Sequence, residues 1–396
     1  MRATGFARRG ANGAAVISGV GESEYRRWGG HADRTEFQLA CTAILAAAED
    51  AGIATSDIDG LASFADPAID PSMLQLALGM PHLRFSGMAW GGRGGSGCAA
   101  VALAADAVAS GRAEVVAVVR SLCQGRSRRY GQFFAARAHA NFNAPFGLLA
   151  PPQMMALALQ RYAHDHRLHP DAMMEIALSC RDNAQRNPRA VTHGKALTRE
   201  AYLASRMVAD PLRLNDCCLE TDGACAVLVT TPERAASLRS RPVQIAASAQ
   251  HGPAGWSTGY MGSHNMPRAD YGTGGQRGLA EALYSQAGIG PSDIDVAQIY
   301  DHFSGMVLLA LEDFGFCGRG EAGAFVTSEA IRRGGSLPVN TAGGNLSEAY
   351  VHGLNLVIEG VRQLRGESTS QVAEARLCLV TSGSGILPSS GLVLRS

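Results

Sequence analysis

The stretch AGIATSDID at residues 51–59 returns as AGIGPSDID at residues 287–295, in the second half of the chain. In each copy an Ala- and Leu-rich segment typical of a helix precedes the stretch, and a short apolar segment typical of a strand follows it. The glycine of each copy lies at the end of the predicted helix, where a C-cap is expected. The spacing far exceeds the ~20 to 50 residues of solenoid repeats, so the pattern predicts a duplicated domain. The predicted helices cover residues 37–50 and 278–286, and the predicted strands cover residues 61–64 and 296–300.

A second pair of segments supports the duplication. The GGSG run at residues 94–97 opens a predicted helix, and a buried strand follows at residues 114–119. The GGN run at residues 343–345 opens another predicted helix that continues to about residue 365, with a strand at residues 377–380. Each half is therefore predicted as strand, helix, strand, Gly-rich turn, helix, strand. That order favours a mixed sheet covered by helices on both faces, built twice.

Residues from about 121 to 205 have no counterpart in the second half. We predict that they form an inserted loop domain over one end of the sheets, where loops commonly carry substrate contacts. The predicted domains are an N-terminal half at residues 1–240, which contains the insertion, and a C-terminal half at residues 241–396. His164 and His166 in the insertion are two positions apart and would diverge on a helix, so no metal site is predicted.

Composition limits the classes of function. Lys and Arg together number 35, as do Asp and Glu, and 46% of the residues are hydrophobic. This balance is ordinary for a globular enzyme, and it gives no basic surplus for binding nucleic acid. The nine cysteines are scattered without a CxxC pair, which indicates neither a disulfide framework nor a zinc site and favours the reducing cytoplasm. No run of 18 apolar residues predicts a membrane span, and no signal peptide is predicted.

The Gly-rich turn at residues 91–97 lies before a predicted helix and superficially suggests a nucleotide loop. It matches neither GxxxxGK[ST] nor a GxGxxG that follows a first strand, so no nucleotide cofactor is predicted. Two interpretations remain open. The backbone N–H groups of the turn could stabilise a developing negative charge at the helix N-terminus, or the glycines could serve only a tight turn from strand to helix.

Several motifs carry a family resemblance that covers nearly the whole chain. The run VNTAGGNLS at residues 339–347, together with the two halves and the insertion, resembles the thiolase superfamily. The runs IYDHFS at 299–304, LEDFGFC at 311–317 and DGACA at 222–226 are most similar to the sterol-carrier-protein type of thiolase. Within that type the chain looks like the lipid-transfer-protein aldolases of bacterial steroid side-chain degradation. The resemblance implies a duplicated five-layer αβαβα fold.

The chain departs from the thiolase pattern at the positions that carry the chemistry. Gly94 occupies the position of the nucleophilic cysteine, and Thr381 occupies that of the second, proton-transferring cysteine. Tyr350 aligns with the histidine of the thiolase Gly-His-Pro motif, and Tyr300 aligns with the Asn or His that begins the other active-site motif. Cys98, inside the following helix, is predicted to be a small core residue. The resemblance therefore implies that no acyl-enzyme forms.

These exchanges imply a change of reaction, and we expect a retro-aldolase. Its substrate would be a 3-hydroxyacyl-CoA, by family resemblance a steroid side-chain thioester, cleaved to a ketone and a shorter acyl-CoA. No cofactor is expected, since coenzyme A is part of the substrate. Two alternatives stay open: a non-catalytic subunit that binds acyl-CoA or sterol, and a thiolytic acyltransferase in which Cys98 would move into the site.

Retro-aldol cleavage requires a base for the β-hydroxyl proton and a donor for the thioester enolate. We assign Tyr350 as the base and Tyr300 as the donor, with the two roles interchangeable. A basic tyrosine needs a neighbouring donor or cation, because an unperturbed phenol has a pKa of about 10. The candidate supporting residues are His302, His352 and Asp301, and the candidate substrate-binding residues are Gly94, Gly344 and Gly383.

The family resemblance also implies two kinds of partner. A homodimer is expected, as is a small acyl-CoA-binding protein made of a zinc ribbon and an OB-fold. Nothing in the composition of the chain bears on either partner.

Overall fold

The computed structural model describes residues 13–65, 68–91, 93–126, 144–256 and 266–396. The described strands and helices follow the duplicated order that the sequence predicts. The strands are β1 (Val16–Glu22), β2 (Arg26–Arg27), β3 (Gly60–Phe64), β4 (Phe85–Ala89), β5 (Val115–Cys123), β6 (Met207–Ala209), β7 (Leu212–Arg213), β8 (Thr221–Thr230), β9 (Val243–His251), β10 (Val296–Gln298), β11 (Leu377–Ser382) and β12 (Ser389–Arg395). The helices are α1 (Glu36–Ala51), α2 (Pro71–Ala77), α3 (Gly97–Ala109), α4 (Pro151–His166), α5 (Ala172–Arg186), α6 (Arg199–Leu203), α7 (Pro232–Ala235), α8 (Arg277–Ala287), α9 (Ser304–Asp313), α10 (Ala322–Thr327), α11 (Gly344–Ser347) and α12 (Leu354–Arg365).

The two halves have the same strand order and the same strand directions. In the first half β4, β3 and β5 are parallel, and β8 and then β1 continue the sheet antiparallel. In the second half β10 and β11 are parallel, and β12 and then β9 continue antiparallel. Val339 forms a parallel bridge to Ala297, at the place that β4 holds in the first half. The predicted duplication is confirmed.

The two sheets are joined at their edges, whereas we expected them to be separate. The pairs Val16–Gln244 and Ile17–Val243 connect β1 to β9 in antiparallel register. The result is one continuous sheet with the order β10-β11-β12-β9-β1-β8-β5-β3-β4, and β2 pairs with β8. The joint is only two residue pairs long, so each half keeps its own helices.

The helices form the expected five layers. Helices α3 and α12 share one hydrophobic core with residues from the strands of both halves, so they form the central layer. Helix α1 packs on the outer face of the first half, and α8 and α9 pack on the outer face of the second half. Side chains along β5 alternate between the central and the outer layer: Val116 and Val118 face the central core, and Ala117 faces α1.

The first part of the repeated stretch ends a helix and caps a turn in the same way in both halves. Gly52 and Gly288 are the helix C-caps, with φ of 74° and 68°, a left-handed conformation that glycine adopts readily. Three residues before each strand, an aspartate closes a 3₁₀ turn. Asp57 Oδ2 accepts the Ala54 N–H at 3.1 Å, and Asp293 Oδ2 accepts the Gly290 N–H at 2.8 Å.

The last aspartate of the stretch fastens two neighbouring parallel strands in each half. The Asp59 carboxylate accepts the backbone N–H groups of Glu114 and Val115, at the start of β5. Asp295 Oδ2 accepts the equivalent N–H groups of Arg376 and Leu377, at the start of β11, at 2.8 and 2.9 Å. The sequence repeat therefore corresponds to the same contact in both halves. In each half, the aspartate just before one strand bonds to the start of the parallel strand beside it.

The single helix that we predicted from residues 343–345 to about residue 365 is wrong. Helix α11 stops at Ser347, and α12 starts only at Leu354. Between them His352 has φ of 51° and Gly353 has φ of 82°, and neither value continues a right-handed helix. This break contains Tyr350 and His352, and it decides where their side chains lie.

The inserted region adds helices against the second half. Helix α5 packs on α9, α10 and α11. Within the described ranges, no cluster of His, Cys, Asp and Glu has the arrangement of a metal site, and no helix is long and apolar enough to cross a membrane. All nine cysteines are free thiols.

The contact between Asp295 and the start of β11 gives a test of the repeat. We expect Asp295→Ala to lower the free energy of unfolding by about 1 to 3 kcal/mol, because it removes the acceptor of two backbone N–H groups. The matched control is Asp293→Ala, since exposed Asp293 accepts one N–H that water can satisfy, and about 0.5 kcal/mol is expected there. Urea unfolding at pH 7 measures both variants, and equal losses would contradict this role for Asp295.

Candidate active site

Two buried tyrosine hydroxyls meet between the halves of the molecule. Tyr300 follows the end of β10, Tyr350 lies in the break between α11 and α12, and their Oη atoms are 3.2 Å apart. Tyr300 is fully buried and Tyr350 is 6% exposed. The structure therefore brings together the two residues that the sequence predicted as a catalytic pair.

Each tyrosine is held through its backbone by a buried threonine. The Tyr300 N–H donates to Thr381 Oγ1 at 3.0 Å. The Tyr350 N–H donates to Thr221 Oγ1 at 2.9 Å, and the same hydroxyl donates back to the Tyr350 carbonyl oxygen at 2.9 Å. Thr381 thus anchors the strand end that carries Tyr300.

Gly94 and Tyr300 compete for the same space. A Cβ atom built on Gly94 would lie 1.8 Å from Tyr300 Oη and 2.2 Å from its Cζ, so residue 94 cannot carry a side chain while the phenol is in place. A Cβ on Gly353 would meet the other edge of the ring at 2.8 Å. The phenol of Tyr300 fills the volume beside Gly94. The substrate-binding role of Gly94 stays a prediction.

The other two glycines among the candidates also permit close packing. Gly383, with φ of 80°, approaches the Gly-rich turn so closely that its Cβ would lie 2.5 Å from Gly95 Cα. Gly344, with φ of 61°, leaves space for the Asp301 carboxylate, which its Cβ would meet at 2.2 Å. The substrate-binding roles of Gly383 and Gly344 stay predictions.

Asp301 anchors the short helix that precedes Tyr350. Its Oδ1 accepts the Asn345 N–H at 2.7 Å and its Oδ2 accepts the Leu346 N–H at 3.2 Å. Burial raises the pKa of Asp301 to about 6, against the opposing effect of these bonds. These contacts position α11, and the supporting catalytic role of Asp301 stays a prediction.

His302 lies beside Tyr300, with ring centroids 5.1 Å apart, but it does not bond to either tyrosine. It is 3% exposed, and neither ring nitrogen has a hydrogen-bond partner among the described residues. Burial lowers the pKa of His302 to about 3, so the ring is neutral at physiological pH. A neutral ring offers Tyr300 no positive charge, and the role of His302 as a supporting donor stays a prediction.

His352 is held by a residue that the sequence analysis missed. Arg120, 4% exposed in the middle of β5, donates from Nε to His352 Nδ1 at 3.0 Å and from Nη1 to the Phe64 carbonyl oxygen at 3.3 Å. The His352 ring stands perpendicular to the ring of Tyr350, with centroids 5.1 Å apart. One signal was available: an arginine inside the apolar run VVAVVRSLC is unusual, since a buried charge needs partners.

Cys98 has the contacts of a core residue. It is fully buried, the Ser382 hydroxyl donates to its Sγ at 3.3 Å, and Sγ donates to the Val380 carbonyl oxygen at 3.6 Å. Burial raises the pKa of its thiol to about 12. A thiol in this environment is a poor nucleophile, because the thiolate is the reactive form.

A separate cavity of about 420 Å³ lies between the segment around β2 and residues 188–195. Its lining residues include Arg26, Arg27, Arg189 and Lys195 but neither Tyr300 nor Tyr350. We therefore locate the candidate active site by the tyrosine pair and its contacts.

Known proteins share this arrangement of elements. The family model described as thiolase C-terminal domain-like matches residues 260–395. The 17-hydroxy-3-oxo-4-pregnene-20-carboxyl-CoA lyase of Mycobacterium tuberculosis is 40% identical, over 97% of this chain and 99% of its own length. The steroid side-chain-cleaving aldolase of Thermomonospora curvata is 40% identical, over 96% and 98%. The solved Ltp2-ChsH2(DUF35) aldolase is 37% identical with a TM-score of 0.89, and the match covers 98% of this chain and 99% of that chain.

The competition between Gly94 and Tyr300 predicts an effect on stability. We expect Gly94→Ala to lower the free energy of unfolding by about 1 to 3 kcal/mol, since a new methyl group must displace the buried phenol. Gly290→Ala is the control, because its Cβ would meet only Asp293 Oδ2 at 3.9 Å, and little change is expected there. Urea unfolding measures the free energy of unfolding of both variants. A Gly94→Ala protein as stable as the Gly290→Ala protein would contradict the packing described.

Proposed function

The chain belongs to the thiolase superfamily, with steroid side-chain-cleaving aldolases among its relatives, and on this basis we propose that it is a retro-aldolase. It cleaves the bond between the α- and β-carbons of a 3-hydroxyacyl-CoA to give a ketone and a shorter acyl-CoA. By its relatives, the acyl group is a steroid side chain. Coenzyme A is part of the substrate, and the reaction needs no further cofactor.

One observation carries the proposal: two buried hydroxyls lie 3.2 Å apart, at a site where Gly94 leaves no nucleophile. Thiolysis needs a thiolate, and the nearby Cys98 is buried with a pKa raised to about 12. Retro-aldol cleavage needs only a base and an acid, which a pair of tyrosines can supply. A non-catalytic binding subunit would have no use for two buried hydroxyls aligned with each other.

Proton and electron movements balance with these two residues. Tyr350, as the phenolate, takes the proton of the β-hydroxyl, the carbon–carbon bond breaks, and the ketone forms. The electron pair passes to the thioester as an enolate, and Tyr300 donates a proton to the α-carbon. The hydrogen bond between the hydroxyls then returns the proton from Tyr350 to Tyr300, which restores the starting state.

Two helix N-termini favour the negative charge that this reaction moves. Helix α3 follows the turn that contains Gly94, α12 follows Gly353, and both glycines contact the ring of Tyr300. The N-terminus of a helix carries partial positive charge, which stabilises an anion close to it. Enolate and phenolate therefore develop near two favourable helix dipoles.

Two kinds of assembly complete the proposal. The solved relative is a complex of Ltp2 with ChsH2(DUF35), which supports a small partner protein for this chain as well. We also propose a homodimer. It is supported by β4, which ends the described sheet with one edge unpaired, and by the exposed side chains of Met88 and Trp90 on or just after it.

A cytoplasmic location is part of the same proposal. The nine cysteines are free thiols, and a reducing compartment keeps thiols in that state.

Replacing either tyrosine by phenylalanine removes only the hydroxyl and tests the mechanism. We expect Tyr300→Phe and Tyr350→Phe each to lower kcat by about 10² to 10⁴, the usual effect of losing a general acid or base. The assay follows release of the ketone and the shorter acyl-CoA from 17-hydroxy-3-oxo-4-pregnene-20-carboxyl-CoA. Cys98→Ala is the control and should turn over like the wild type. Near wild-type turnover in both Phe variants would refute the assignment.

The partner proposal is tested by co-purification. A tagged form of this chain, co-expressed with candidate proteins built of a zinc ribbon and an OB-fold, should retain one of them through size-exclusion chromatography. Turnover by the complex should exceed that of the chain alone. Full activity of the isolated chain, with no candidate retained, would contradict the proposal.

A further inference from the structure

Arg120 brings a permanent charge to the site from the first half of the molecule. It lies in β5, whereas both tyrosines and His352 belong to the second half. A guanidinium remains protonated in proteins, and burying it is costly unless other groups stabilise it. Its Nη1 lies 3.9 Å from Glu36 Oε1 and stays within hydrogen-bond distance of the Phe64 carbonyl oxygen.

The bond from Arg120 determines the protonation state of His352. A guanidinium only donates hydrogen bonds, so His352 Nδ1, at 3.0 Å from Arg120 Nε, must be an unprotonated acceptor. The neutral ring then carries its proton on Nε2. His352 also has a left-handed backbone, with φ of 51°, which persists only where the surroundings hold it. Arg120 therefore fixes the tautomer and helps to fix the position of a ring that packs against Tyr350.

A nearby positive charge favours a basic tyrosine, because water-exposed phenols lose their proton only near pH 10. The two histidines beside the pair are neutral, His302 through burial and His352 through its bond to Arg120. The guanidinium of Arg120 is separated from Tyr350 only by the ring of His352. Because both residues are buried, the local dielectric constant is low, and the charge of Arg120 stabilises a phenolate more strongly than it would in water.

We propose that Arg120 is a positioning residue for this reaction: it orients His352 against Tyr350, and its charge favours the phenolate form of Tyr350. The inference rests on the proposed function and explains why Tyr350, the tyrosine on the side of Arg120, is the base.

Other titratable groups surround Tyr350 and His352, and the test has to separate their effects. Glu36 at the start of α1 opposes the charge of Arg120. The carboxylate of Asp222, at the start of β8, accepts the N–H groups of His31 and Gly125. Burial raises the pKa of Glu348, two residues before Tyr350, to about 8, so Glu348 can titrate in the range of the assay. The titratable groups that contact Arg120, lie beside the tyrosine pair or precede Tyr350 closely are Glu36, Tyr300, His302 and Glu348.

The experiment measures kcat/KM for 17-hydroxy-3-oxo-4-pregnene-20-carboxyl-CoA between pH 6 and pH 10, on the chain with its partner. In wild type, kcat/KM should rise with pH as Tyr350 loses its proton. In Arg120→Gln this rising limb should move to higher pH by about one unit, so that kcat/KM is about tenfold lower at pH values below the limb. In Glu36→Gln the limb should move to lower pH, because the opposing charge is removed. Arg120→Lys keeps the charge and loses the Nε contact, so kcat should fall while the limb stays near its wild-type position.

A purely structural role for Arg120 would lower kcat/KM by the same factor at every pH, and that result would overturn the inference. If Arg120→Gln does not fold, Glu36→Gln and Arg120→Lys provide the test. The inference is then overturned if the rising limb does not move in Glu36→Gln and kcat does not fall in Arg120→Lys. The Arg120→Gln shift should persist in a Glu348→Gln background, and its loss there would assign the limb to Glu348 instead. No cleavage by the wild-type complex would overturn the proposed function itself.

Discussion

Residue 94 and the ring of Tyr300 cannot both occupy the space between the Gly-rich turn and the end of β10. A single carbon atom added at Gly94 would lie 1.8 Å from the phenol oxygen. By its resemblance to thiolases, this is the position of the nucleophilic thiol, so the site can hold either a thiol or this tyrosine. The loss of the cysteine and the gain of the tyrosine are thus one packing change, and the chemistry available to the site depends on it.

The pair of hydroxyls that results must be held firmly, since a buried polar pair is stable only when its geometry is maintained. The two tyrosines are positioned mainly through hydrogen bonds to backbone groups. Thr381 and Thr221 bond to the main chain of the two tyrosines, and Asp301 binds the start of α11. These contacts act on the main chain around the tyrosines and not on their phenol groups, which the proposed reaction uses.

The two halves share one fold but make unequal contributions to the site. Tyr300, Tyr350 and His352 come from the second half, where the break between α11 and α12 turns the chain through left-handed conformations. The first half supplies Gly94 and Arg120. The duplication thus provides two central helices, α3 and α12, whose N-termini both lie near the ring of Tyr300. The residues that differ between the two halves provide the chemical groups of the candidate site.

The sequence by itself determined the features that depend on local contacts and on motif position. The repeated AGIxxSDID stretch predicted the duplication because its glycine cap and its turn-closing aspartate each bond to a residue no more than four positions away. The two tyrosines were found because they stand at known motif positions. The tertiary structure alone decided the contact of Arg120 with His352, which are 232 residues apart, and the contact of Gly94 with Tyr300. It also decided the break before α12, where propensity favoured one helix. Such contacts arise from how the two halves pack, and no local pattern encodes the distance between side chains that meet only after folding.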